Sequence, residues 1–153
     1  MGMRLSEETE AWLRAGAEAT MAEPTNGASR HFLAGLELAY LVASADGLAE
    51  SEREVLAQAL AEATGDVVDQ ASFARHFRDL DEAVAMLGRR ERLSAAAAEV
   101  DDPHQRDLAL RFAAVVAMAD QHLDPSELAV LEQLGALFEW PPAKVHAMVE
   151  ELR

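Results

Sequence analysis

Cysteine is missing from the chain altogether. That removes disulfides, thiolate zinc sites and cysteine nucleophiles, since each needs a sulfur. Aromatic residues make up only 5% of a sequence that is half hydrophobic. Small aliphatic side chains with abundant alanine favour closely packed helices over a sheet, whose strands draw on β-branched and aromatic residues. Glycine and proline are sparse, at eight and five, and no stretch reads as a low-complexity linker. No apolar run approaches the roughly twenty residues that a membrane-crossing helix needs. The opening stretch lacks the basic and apolar regions of a secretory signal and carries Glu7, Glu8 and Glu10 instead, so a cytoplasmic location is expected.

Positive charge is scarce as well. Thirteen Lys and Arg stand against 28 Asp and Glu, for a net charge of −15. Phosphate backbones and anionic lipid surfaces would be repelled, which argues against nucleic acid and membrane partners. Acidity alone is a weak pointer to cations, because a solvated acidic surface also keeps a protein soluble. Motifs of catalysis are missing too: there is no phosphate-binding glycine loop, no GxSxG elbow and no HExxH pair. The expectation is a binding module, not an enzyme.

What the chain does contain is a repeat. Residues 36 to 60 read LELAYLVASADGLAESEREVLAQAL, and residues 110 to 134 read LRFAAVVAMADQHLDPSELAVLEQL. Six of the eleven positions from Leu36 to Asp46 are identical to those from Leu110 to Asp120, and six of eleven from Leu48 to Gln58 match Leu123 to Gln133. The second copy has one extra residue in between. Each copy predicts a helix, a tight acidic corner and a second helix.

The acids fall in register with the apolar stripes. Phe32, Leu36, Ala39 and Ala43 share a helical face, and the next step lands on Asp46. Leu110, Ala113 and Ala117 lead in the same way to Asp120. Both aspartates are thus expected in the last turn of a helix, where the macrodipole disfavours negative charge. Beyond the corner, Glu52 precedes Val55, Leu56 and Ala59, and Glu127 stands in the same relation to Val130, Leu131 and Leu134. Asp46, Glu52, Asp120 and Glu127 are therefore expected to point into their corners and to want a cation.

The pattern Ala45-Asp46-Gly47 with Glu52, echoed by Ala119-Asp120 with Glu127, resembles the bacterial tellurite-resistance TerB-like family. The resemblance covers about residues 30 to 65 and 104 to 150. It implies an all-helical fold of duplicated helical pairs, acidic clusters that bind divalent metal ions, notably calcium, and a place in a multi-protein response to tellurite and other chemical stress. One departure stands out: Gln121-His122 occupies the second corner where the first has Gly47.

Along the rest of the chain, Ser6 can cap an N-terminal helix, and the run from Glu23 to Gly27 breaks it. The first repeat helix is expected from about Ser29 to Ala45 and its partner from about Ala49 to Thr64, closed by Gly65. Between the copies, Phe73, Phe77, Leu80, Val84 and Leu87 predict a buried helical face over part of residues 66–100. Asp79 and Glu82 have the spacing to restart a helix there, which leaves one bent helix or two. Arg75, Arg78, Arg89, Arg90 and Arg92 make this the one locally basic region. They read as a solvated face paired with neighbouring acids, or as a surface for an acidic partner. Asp102-Pro103 and Asp124-Pro125 each start a helix, and Pro141-Pro142 precedes a short last one.

Structure alone can account for some of these acids. Asp124 with Glu127 fits a capping box that needs no metal. Ala49, at the corresponding place in the first copy, has no capping oxygen, yet Glu52 is still there. His122 could recruit a softer metal, while the remaining histidines share no ligand spacing. Trp12 and Trp140 read as packing residues. The whole is a single all-α domain, residues 1–153, of about seven or eight helices, with repeat units near 30–65 and 104–139. The proposed ligands are Asp46, Glu52, Asp120 and Glu127, with Glu50 and Asp124 as additions. An all-carboxylate set favours calcium, then magnesium or manganese. The corners meet in one shared cluster or stand apart as two sites. The competing expectation is a metal-free acidic scaffold for protein–protein interaction, whose acids only cap and solubilise.

Overall fold

A computed structural model of the chain describes residue 3 and residues 5–23, 27–119 and 123–153. Among the described residues there are eight helices and no strand: α1 Glu7–Ala22, α2 Gly27–Ala43, α3 Glu50–Ala63, α4 Gln70–Leu87, α5 Arg89–Glu99, α6 Pro103–Ala117, α7 Pro125–Leu137 and α8 Pro142–Leu152. The repeat copies are the pairs α2–α3 and α6–α7.

Local chemistry explains most boundaries. The side-chain oxygens of Ser6, Asp69, Asp102 and Asp124 each accept a backbone N–H from the first turn of the following helix. Proline opens α6, α7 and α8, where its missing N–H costs nothing. The middle segment is two helices, and the break falls at Gly88, whose φ of 90° is readily adopted only by glycine. Asp79 and Glu82 lie inside an unbroken α4. Their capping spacing was outweighed by the apolar stripe, since Phe73, Phe77 and Leu80 are all buried. The stripe then fades, and Leu87 is exposed.

Helices α2 and α6, the first helix of each copy, pack against each other at the centre. Every residue from Ala34 to Val42 is buried, and from Leu108 to Ala117 only Arg111 is not. A helix apolar nearly all round belongs inside, so these two exceed the single stripe that their periodicity suggests. Helix α1 crosses α2 at close range. A Cβ on Gly35 would sit 2.6 Å from the Trp12 ring. The same indole meets Phe112 of α6 edge-on, with centroids 5.7 Å apart, and donates to Gln105 Oε1 at 2.6 Å. Trp12 is a packing residue, as its sequence context suggests.

The polar exceptions on α2 are answered by the basic region. Arg92 grips Glu37 with two hydrogen bonds of 2.7 and 2.6 Å. Arg89 donates to the Leu41 carbonyl and, at 3.2 Å, to Ser44 Oγ. That places a guanidinium at the negative end of α2. Two of the five arginines therefore hold the core helix in place.

Candidate functional site

The first corner begins where α2 stops. Ser44 donates through both N–H and hydroxyl to the Tyr40 carbonyl, at 2.9 and 2.6 Å, and Gly47 N–H closes the turn onto Ser44 O at 2.9 Å. Gly47 has φ 96°, so the corner requires glycine there. Asp46 consequently lies in the turn, beyond Ala43, and is exposed. This corrects its expected place in the last helical turn. The macrodipole objection weakens accordingly, because the helix end is already served by Arg89. At the start of α3, Ala49 is extended and offers no side-chain oxygen. Glu52 nevertheless reaches back, its Oε1 accepting Ala49 N–H at 2.9 Å.

The second corner is built more fully. Helix α6 ends at Ala117, with Met118 as its cap. Asp120, Gln121 and His122 lie outside the described residues, and with them the expected ligand Asp120 and the histidine beside it. Asp124 Oδ1 accepts Glu127 N–H at 2.9 Å and the Ser126 hydroxyl at 2.7 Å. Glu127 Oε1 accepts Asp124 N–H at 3.1 Å, which completes the box. Glu127 is only 7% exposed, whereas Glu52 is exposed.

The corners meet. Asp46 and Glu52 from the first copy and Asp124 and Glu127 from the second line one cavity of about 330 Å³. Leu48, Val55, Leu56, Val116 and Ala117 supply apolar lining between them. Glu50, the first residue of α3, is not among the lining residues. Asp46 titrates above the usual carboxylate range, first because of a hydrogen bond with the Asp124 carboxyl and then through its charge, with Glu52 adding to the effect. Asp124 is held below that range by the Ser126 hydroxyl and the Glu127 N–H. A carboxylate has two oxygens, so the capping bonds of Asp124 and Glu52 leave one on each unengaged by the caps. Among the described residues, no group of three or more His, Asp or Glu is placed to hold a metal ion.

A part-buried polar network beside the first corner escaped the sequence reading. Tyr40 Oη donates to Asp81 Oδ1 at 2.8 Å, and Arg53 pairs with the other Asp81 oxygen. Burial and the Asp81 carboxylate push the Tyr40 hydroxyl up to about 12. The available signal was a lone tyrosine on an apolar helix, whose hydroxyl needs a partner once buried.

The fold and the cavity define a class: an all-helical domain in which two helix pairs bring acidic corners together. The family model described as tellurite resistance protein TerB matches residues 32–150, and the chain belongs to that family. It is a helical domain associated with tellurite resistance. No curated protein and no solved structure matches the chain.

Proposed function

We propose that the cavity between the corners binds a divalent cation, calcium before magnesium or manganese. On this reading the protein is a non-enzymatic metal-binding module of a bacterial chemical-stress response, working in the cytoplasm with other proteins of that response. The observation that carries it is the convergence of Asp46, Glu52, Asp124 and Glu127 on one cavity, where Asp124 and Glu52 raise the Asp46 pKa. Asp46 and Asp124 stay ionised together at neutral pH only against repulsion, and a dication relieves it. The donors are all oxygen, which suits hard cations. Asp46 and Asp124 would hold the ion, with Glu52 and Glu127 beside them in the cavity to complete the set. Tellurite itself needs no site here, since the chain has no thiol to offer it.

Calorimetric titration of chelator-stripped protein with calcium tests this. Saturable heat is expected, together with a higher melting temperature. A ligand at a hundredfold excess over Kd stabilises the folded state by about 2.7 kcal/mol. Asp46→Asn should abolish most of both effects. Absence of saturable heat in the unmodified protein would remove the metal from the account.

The second reading is a metal-free interaction scaffold. It draws on the capping roles of Glu52 and Glu127 and on the lack of a ready-made ligand triad among the described residues. It predicts melting curves that calcium does not move.

A further inference from the structure

We propose that the outer face of α3 is a docking groove for a short basic amphipathic helix of a partner protein. A shallow depression of about 420 Å³ runs along this face from Ser51 to Glu62, with Gln70 of α4 contributing to its lining. Val55 lies within it and is 63% exposed, and Ala59 follows one turn later. An isolated exposed valine is unremarkable. This one lines a groove on a face of α3 where Ser51, Glu54, Gln58 and Glu62 are exposed as well, and the groove shares Ser51, Val55 and Ala59 with the corner cavity.

Charge decides what fits. Between residues 44 and 72 there are seven acids, Asp46, Glu50, Glu52, Glu54, Glu62, Asp66 and Asp69, and a single base, Arg53. Arg53 is committed to Asp81, and none of the seven acids forms an ion pair among the described residues. Elsewhere on the molecule acids are commonly paired, as Glu37, Asp107 and Glu151 are with arginines. The α3 face therefore presents uncompensated carboxylates beside an apolar line. A second copy of this chain brings a net charge of −15 and is repelled. A partner helix with Leu or Met facing Val55 and Ala59, and Lys or Arg reaching Glu54 and Glu62, satisfies both the apolar and the charged parts. Ser51 to Glu62 spans about 16 Å of helix, which sets the partner at about three turns. An interface of that size suits a transient contact.

The inference needs no metal, so its test is run in chelator. The probe is a fluorescent three-turn peptide with a leucine stripe flanked by lysines. The control peptide has the same composition with the stripe scrambled, because an acidic protein attracts any cationic peptide. Anisotropy titration should show the striped peptide binding roughly tenfold more tightly, with Val55→Ser removing that advantage as truncation of an interface anchor does. Val55 is mostly exposed, so an unchanged melting curve will confirm that the variant folds. Peptide-induced amide shifts should centre on residues 51–62. The double variant Glu54→Gln/Glu62→Gln lies outside the corner cavity. It should weaken the peptide and flatten its salt dependence while leaving calcium heat as in the parent protein. Equal binding of striped and scrambled peptides, or an unaffected Val55→Ser, would overturn the proposal. Neither result bears on the cation site.

Discussion

The two corners share their sequence pattern but put it to different use. In the second, Asp124 and Glu127 exchange hydrogen bonds across a complete capping box, Pro125 opens the helix, and Glu127 is buried. In the first, Ala49 leaves the box half made, Glu52 is exposed, and Asp46 stands in a glycine turn. The polar support also differs. Tyr40 and Arg53 brace the first copy against Asp81 of α4, whereas the positions matching them in the second copy are Ala114 and Leu128. One copy has its acids built into the helix start, and the other keeps them at the surface where a ligand can reach. Repetition of a motif thus says where acids gather, and burial says which of them are free to act.

The largest effect that can break this comparison is expected at Glu127. Glu127→Ala removes a buried acceptor and strands the Asp124 N–H, so a loss of about 2 kcal/mol is expected in urea unfolding. Glu52→Ala, the same change in the exposed corner, should stay within about 0.5 kcal/mol. Equal losses would show that the two boxes are equivalent after all. Next is Tyr40→Phe, which deletes the brace found only in the first copy and should cost about 1 kcal/mol. Because Tyr40 is the sole tyrosine, ultraviolet titration reads it directly, with a folded midpoint near 12 against an ordinary value of 10. A raised folded pKa means that its stabilisation is complete below pH 10 and is lost as pH rises through about 12.

Smaller again is Ala49→Ser, which gives the first corner the oxygen it lacks. A gain of about 0.5–1 kcal/mol is expected, and no gain would mean that Glu52 already does all that capping can do there. The smallest change is Asp46→Asn without metal. It relieves the repulsion from Asp124, so melting at neutral pH should be slightly higher than in the parent protein. The parent gains stability as pH falls through the raised Asp46 value, since protonation then relieves the same repulsion, while the asparagine variant does not. The gap between their melting curves should therefore close on acidification.

Much of the fold was legible because it rests on local signals. The apolar periodicity of residues 32–43 and 110–117, the caps Ser6 and Asp102, and the paired prolines each act over a few residues. The break between α4 and α5 stayed open because Asp79 with Glu82 offered a start inside the apolar stripe, whereas the chain turns at Gly88, whose φ is 90°. At the site, periodicity put acids at both corners but could not say that Asp124 faces Asp46, which depends on how α2 lies against α6. Nor could it foresee that Glu52 would reach back to Ala49 N–H with no capping oxygen opposite. The half box removes one reason for reading Glu52 as more than a cap. What remains for ligand binding is the oxygen that the cap leaves open.

Helix α2 has neighbours on every side, with α1, α5, α6 and α7 all packed against it. Its amide protons should consequently exchange with deuterium only when the whole chain opens, and more slowly than those of α3 or α8. The two copies therefore do not make two folding units. A fragment ending near residue 65 would keep the first pair intact in sequence yet bare the α2 flank that α5 and α6 cover, and would take Phe77 from Tyr40 and Arg92 from Glu37. The internal symmetry is thus irreversible: the halves could drift apart at their corners, where the backbone meets solvent, but neither can be discarded without dissolving the other.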